Sequence, residues 1–231
     1  MRILLISDIH ANTVALKSVL ESAGDVDLII PAGDIVDYNP WPLEAIEMVQ
    51  ESGMVTVLGN HDRDSATGNP IGYNPAAAVS CKWTHQRLTP EAKRYLLNLP
   101  KSVSMEIEGV RFFICHGSPR DPVDEYIFPP PYTPRSLLED FLRKTQAQVL
   151  ILGHTHVPLI QKFEEGYVIN PGGCGQPRDG DPRASYVVLN VEDGKVELEY
   201  RRVSYDVDRV SKAILKEGLP QFLAQRLYLG V

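Results

Sequence analysis

Five short clusters in this sequence combine residue types that bind divalent cations. They read Asp8-Ile9-His10, Gly33-Asp34-Ile35-Val36-Asp37, Gly59-Asn60-His61-Asp62, His116-Gly117 and Gly153-His154-Thr155-His156. Two cations held side by side need an anionic ligand between them, with neutral imidazoles and oxygen donors around the outside. Asp8, His10, Asp34, Asn60, His116, His154 and His156 have that chemistry. Each cluster alone is weak. Asp-x-His can be a turn with a local hydrogen bond, Gly-Asn-His-Asp a turn, and Gly-His-Thr-His the start of a half-exposed strand. Their joint occurrence is the signal, because five of the six histidines fall in these clusters and only His85 lies elsewhere. The glycines let the backbone turn sharply beside each donor.

The elements that would position these clusters are apolar runs. Residues 3–7 read as a buried strand, 27–32 as a second and 55–58 as a third. Helical spacing over 12–22 and 42–52 separates them, and this β-α-β-α-β order predicts a parallel sheet with right-handed crossovers. A helical region follows at 74–87 and 90–97. Strands are expected at 102–108 and 110–115 around Gly109, at 149–152, at 157–163 and 167–169, and at 185–191 and 195–202. Residues 133–145 read as a helix, and 207–227 as one or two helices divided near Gly218 and Pro220. An early parallel half and a later strand-rich half imply two packed sheets flanked by helices. Every cluster follows an apolar strand, and ligands bind at the carboxyl ends of strands in open α/β sheets.

The 231 residues suffice for one domain, 1–231, with a substantial core. Hydrophobic residues make up 43% and charged residues 23%, as in soluble globular proteins. The net charge of −7 argues against nucleic acid as a partner, since that binding runs on Lys and Arg neutralising phosphates. It leaves room for a small phosphorylated substrate, because bound cations can supply the positive charge. Cys81, Cys115 and Cys174 are odd in number and far apart, so a reducing compartment is the simpler reading. The chain reaches Ser7-Asp8 too soon for a signal peptide, and no apolar run approaches the roughly 20 residues that span a bilayer. A cytoplasmic location is expected.

In this order the five clusters resemble the signature of the calcineurin-like metallophosphoesterases: D-x-H, G-D-x-x-D, G-N-H-D, a single His, then G-H-x-H. Every block is present over residues 8–156. Asn170-Pro171-Gly172-Gly173 and Gly175-Gln176-Pro177-Arg178-Asp179 further resemble the small prokaryotic branch related to diadenosine tetraphosphatases. The tail after about Val203 is least informative. The resemblance implies a four-layer α/β/β/α sandwich of two mixed β-sheets flanked by helices. It implies that Asp8, His10 and His156 hold one divalent metal ion, that Asn60, His116 and His154 hold another, and that Asp34 bridges them. It implies that His61 donates a proton to the leaving oxygen while Asp62 orients its ring. Asp37 matches the last position of its block without an assigned role. Some small prokaryotic relatives carry Cys where His61 stands here.

The activity implied is hydrolysis of a phosphate ester by in-line attack of a metal-activated hydroxide, as a phosphodiesterase or phosphatase. A dinucleoside-polyphosphate hydrolase is the alternative within the same chemistry. A catalytically inactive scaffold of this fold is the alternative of another class, and the intact ligand set argues against it. The mixed N/O donors suit Mn²⁺, Fe²⁺, Zn²⁺, Co²⁺ or Ni²⁺, with Mn²⁺ expected to support activity in vitro. A homodimer is a family-level expectation.

Weaker features surround this set. Arg120, Arg178 and Arg183 can each bind a second phosphate bidentately or serve as salt bridges tying loops together. Tyr126, Phe128 and Tyr132 can stack on a nucleobase or pack the proline-rich segment 119–134, which is a candidate lid or wall. Cys115 and Cys174 read as core or small residues, and His85 as structural.

Overall fold

The computed structural model describes all 231 residues. β1 (Arg2–Ile6), α1 (Thr13–Ala23), β2 (Leu28–Pro31) and α2 (Pro42–Glu51) come first, followed by α3 (Asn60–Thr67), α4 (Pro75–Arg87) and α5 (Pro90–Leu97). The hairpin of β3 (Ser102–Ile107) and β4 (Val110–Cys115) leads through the proline-rich segment to α6 (Arg135–Thr145). β5 (Val149–Ile151), β6 (Leu159–Lys162) and β7 (Tyr167–Asn170) precede the long hairpin of β8 (Ala184–Glu192) and β9 (Lys195–Val203). α7 (Val207–Lys216) and α8 (Gln221–Leu229) end the chain, divided at Gly218 and Pro220 as predicted. No helix is long and apolar enough to cross a membrane.

The strands form two mixed sheets, ordered β2-β1-β8-β9 and β3-β4-β5-β7-β6. The period-2 alternation of strand side chains sorts each strand's residues into two layers. Ile3 and Leu5 of β1, Val187, Leu189 and Val191 of β8, and Val149 and Ile151 of β5 meet in one cluster between the sheets. Leu4 and Ile6 of β1 and Tyr186 and Val188 of β8 face the other way, onto α1, α2 and α5. Leu150 of β5 and Val168 of β7 pack outward on Leu138, Phe141 and Leu142 of α6. The result is the expected helix-sheet-sheet-helix sandwich. α7 and α8 add a smaller cluster through Val210, Ile214, Leu223 and Leu227, against Tyr38 and Ala77.

The third parallel strand predicted at 55–58 does not form. Val55 N–H donates to Ile29 O at 3.0 Å, but the segment then leaves, and Leu58 N–H donates to Pro100 O at 2.8 Å. The return bond of a parallel ladder would need the N–H of residue 31, which is proline. β1 instead pairs with β2 on one side, in parallel, and with β8 on the other, antiparallel. The Gly59-Asn60-His61-Asp62 cluster is therefore not a plain turn after a strand: it begins α3.

Candidate metal centre

The five clusters converge where the two sheets meet. Asp8 and His10 follow β1 and Asp34 follows β2, in one sheet, while His116 follows β4 and His154 and His156 follow β5, in the other. Asn60 opens α3. All seven side chains are buried, at 5% exposure or less, so none of them reaches bulk water to be solvated.

Asp8, His10 and His156 bring their ligand atoms together as one group, and Asp34, His116 and His154 as a second. Asp34 stands between the two, its Oδ2 3.6 Å from His10 Nε2 and 3.1 Å from His116 Nε2. Asn60 Oδ1 joins the second group, 3.2 Å from His116 Nε2. The residues brought together are those that the sequence resemblance names as candidate ligands.

Hydrogen bonds behind the ligands aim each donor atom inward. His10 Nδ1–H donates to Val36 O at 3.0 Å, His116 Nδ1–H to Ala32 O at 2.7 Å, and His156 Nδ1–H to Gln176 O at 2.5 Å. Their Nε2 lone pairs are thereby left for a cation. His154 is turned the other way: its Nε2–H donates to Asp124 O at 3.2 Å, which leaves Nδ1 as the ligand atom. Asn60 Nδ2–H donates to Tyr73 Oη at 2.8 Å, so the amide oxygen is the end that points inward.

The chemistry left over is that of a missing positive charge. Asp8 Oδ1, Asp8 Oδ2 and Asp34 Oδ2 are buried without any hydrogen-bond donor. Such carboxylates are costly unless a cation neutralises them. His10 Nε2 and His156 Nε2 face one another at 3.1 Å, a contact that two imidazole lone pairs favour only around a shared cation. Burial pushes the Asp8 carboxyl up to about 6, and the nearby charge of Asp34 adds to this. Burial also holds the His10 and His156 rings well below their ordinary value and brings His154 down to about 2, so these imidazoles are neutral, as ligation requires. Burial works against the charge of Asp34, but His116 and His61 outweigh it and keep its carboxyl well below the usual range. Burial likewise works against a proton on His116, and Asp34 raises that ring to about 9. The donor set and the orphaned oxygens fit two divalent ions.

Local backbone geometry carries a visible strain for this arrangement. Asp8, His10, Ala11, Asp34, Asp37, Tyr38, His154 and His156 all have positive φ, and outside these loops only Glu108, Gln146 and Asp193 do so among non-glycine residues. Backbone in this region costs free energy and persists where surrounding structure enforces it. Gly59 is required for close approach, since a Cβ there would lie directly against Asp34 Oδ1.

His61 is placed beside the metal ligands rather than among them. Its backbone N–H donates to Asp34 Oδ1 at 2.9 Å. Its ring Nδ1 donates to Asp37 Oδ2 at 2.6 Å, and its Nε2 lies 3.2 Å from Tyr38 Oη. Burial opposes a proton on this ring, but the charge of Asp34 and the bond to Asp37 raise it above its ordinary value. The residue that orients His61 is thus Asp37, and the assignment of that role to Asp62 is corrected. Asp62 faces away from the ring because it sits at the third position of α3, where its carboxylate caps the helix. Oδ2 accepts from Gly59 N–H at 3.2 Å, and Oδ1 accepts from Ile35 and Val36 N–H at 2.8 and 3.1 Å. It fastens the Asp34 loop to the Asn60 helix. Burial, with the charge of Asp34, pushes Asp62 up to about 7.

The substrate-side candidates divide. Arg178 lines a cleft beside the metal centre together with His61 and Tyr126. Tyr126 stacks on His154, ring centroids 3.7 Å apart, lies parallel to Phe128 at 5.9 Å, and remains 51% exposed. Arg120 and Arg183 do not point there. Arg120 pairs with Glu125 and Arg183 with Asp181, each an exposed side chain neutralised by an acid close by in sequence. The proline-rich segment is a wall: Val123 and Ile127 are buried, the Asp124 carbonyl holds His154, and Asp124 pairs with Arg63 of α3 at 2.7 Å. His85 is structural, its Nδ1–H donating to Ser65 O at 2.8 Å. The three cysteines are free and buried. Tyr38, Tyr73 and Arg226 were not singled out from sequence. Only Tyr38 carried a signal, its place directly after the G-D-x-x-D block.

Comparison with known proteins identifies the family. The family model described as the calcineurin-like phosphoesterase superfamily domain matches residues 1–194. An uncharacterized protein of Methanocaldococcus jannaschii is 33% identical over 99% of this chain and 98% of its own length. Phosphodiesterase YfcE of Escherichia coli K12 is 25% identical over 82% of this chain and 88% of its own. The crystal structure of a metallophosphoesterase from Sphaerobacter thermophilus superposes with a TM-score of 0.85 at 36% identity, covering 100% of this chain and 99% of that one. The chain belongs to the calcineurin-like phosphoesterase superfamily.

Proposed function

We propose that this protein hydrolyses a phosphate ester of a small phosphorylated molecule with two divalent cations, Mn²⁺ in vitro. The observation that carries this reading is the set of buried carboxylate oxygens on Asp8 and Asp34 with no donor, ringed by histidine nitrogens whose far sides are already committed. Asp8, His10 and His156 would hold one ion, Asn60, His116 and His154 the other, with Asp34 between them. When bound, such ions lower the pKa of a coordinated water and neutralise charge on phosphoryl oxygens.

The chain's own groups do the rest. His61 holds a proton at Nε2 and delivers it to the oxygen that leaves phosphorus, a contribution of about 10²–10⁴-fold. Asp37 fixes the ring through Nδ1 and stabilises its charged form. Tyr38 Oη, beside Nε2, holds the ring face toward the cleft. No covalent enzyme intermediate is needed. A scaffold role is not favoured, because every ligand and His61 are in place.

The test is an assay of chelator-stripped protein on p-nitrophenyl phosphate and bis-p-nitrophenyl phosphate with Mn²⁺ restored, beside His61→Ala. The expected result is metal-dependent turnover, lowered about 10²–10⁴-fold in the variant at unchanged metal content. Turnover that is independent of metal, or unaffected by His61→Ala, would refute the mechanism.

A further inference from the structure

The cleft of about 390 Å³ beside the metal centre is lined by His61, Tyr126 and Phe222 together with two arginines. Arg178 comes from the loop after β7, and Arg226 from the last turn of α8. Other arginines nearby are neutralised: Arg63 by Asp64 and Asp124, Arg120 by Glu125, Arg183 by Asp181 and Arg202 by Asp179. Arg178 and Arg226 have no aspartate or glutamate partner. Arg178 donates to Gln176 Oε1 from Nε at 3.3 Å and from Nη2 at 2.9 Å, and Arg226 donates from Nε to Val231 O. Arg226 is only 9% exposed.

Two like charges in one cleft repel, and a chain with 30 acidic residues against 23 basic ones has acids to spare for pairing them. Burial, reinforced by the charge of Arg178, pulls the Arg226 guanidinium down to about 10, so each feels the other. Each guanidinium also lies over a ring, Arg178 at 5.6 Å from Tyr38 and Arg226 at 5.1 Å from Phe222, which holds its donor fork in place. A preset pair of cations with no side-chain carboxylate between them is what a bound anion completes.

We propose that Arg178 and Arg226 form a subsite for a second phosphate group, carried on the leaving-group side of the substrate. Two guanidinium charges match the two charges that a phosphate carries once released from a pyrophosphate bond, and exceed the one of a carboxylate. The leaving-group side follows from His61, which lines the same cleft, and this part rests on the proton-donor reading above. The substrate class is then an ester or anhydride whose departing group bears its own phosphate, as in a pyrophosphate-linked nucleotide.

Calorimetric titration of the chelator-stripped protein with inorganic phosphate tests the subsite without metal or turnover. The expected result is binding that weakens about tenfold or more in Arg178→Ala and in Arg226→Ala, returns in part in Arg226→Lys, and is unchanged in Arg120→Ala. Binding that is absent from the wild type, or as tight as wild type in either alanine variant, overturns the proposal. Succinate competing as well as phosphate overturns its assignment to phosphate. In the Mn²⁺-loaded enzyme, the ratio of kcat/KM for ADP-ribose to that for bis-p-nitrophenyl phosphate should fall about tenfold or more in both alanine variants. An unchanged ratio places the second phosphate elsewhere. Anion binding that depends on both arginines in a protein that hydrolyses neither compound would uphold the subsite and count against the phosphoesterase reading instead.

Discussion

The candidate metal ligands and the arginine cleft meet side by side, but the chain builds them differently. Six of the seven ligands stand within a few residues of a strand end, and each is aimed by a backbone carbonyl, a neighbouring ring or a tight loop. The cleft draws Tyr73 from the turn before α4, Tyr126 from the proline-rich wall, Arg178 from a glycine-rich loop and Arg226 from the last helix. The first region is positioned by the sheets, the second by elements packed onto them. The metal centre therefore belongs to the shared fold, while the cleft includes a helix beyond residues 1–194 that the family model matches.

The sharpest way to break this comparison is at its centre. Asp34→Asn removes the charge between the two ligand groups, and turnover should fall on the order of 10³-fold with loss of at least one metal ion per chain, read by elemental analysis beside kcat. Full activity would mean that Asp34 does not bridge. The pair Asp37 and Asp62 gives a smaller and more discriminating effect. Asp37→Asn should lower kcat about 10–100-fold by loosening the His61 ring, as supporting partners of catalytic groups generally do. Asp62→Ala leaves the Gly59, Ile35 and Val36 N–H groups without their acceptor, and should cost about 1–3 kcal/mol of stability by denaturant unfolding. A larger kcat loss in a stable Asp62→Ala than in Asp37→Asn would restore Asp62 as the orienting group. Smallest of all, Arg120→Ala and Arg183→Ala should each change stability by no more than about 1 kcal/mol and leave KM unaltered, since both sit in exposed pairs.

What was legible in the sequence follows the same division. Alternating and continuous apolar runs revealed all nine strands and the two-sheet architecture, because each run is sorted by the pleat into layers that must be buried. The candidate ligands were legible because six of the seven are local to a strand end and only one histidine, His85, lies elsewhere. The predicted strand at 55–58 failed through one residue, Pro31, which cannot return the hydrogen bond that a ladder at that edge requires. The role of Asp37 was hidden because the fold of the loop after β2, with positive φ at Asp37 and Tyr38, decides which carboxylate meets His61. Asp62 lies next to His61 in sequence, yet helix geometry sends its side chain back to the cap. Arg226 was not legible at all. Its position depends on how α7 and α8 dock on Tyr38 and Ala77, a contact between segments remote in sequence.

The central claim is that two cations flank Asp34. The most direct measurement is a crystal soaked in Mn²⁺ and examined by anomalous scattering. Two peaks are expected, one among Asp8, His10 and His156 and one among Asn60, His116 and His154, with Asp34 touching both. A single peak, or peaks that leave Asp34 uncoordinated, would contradict the account.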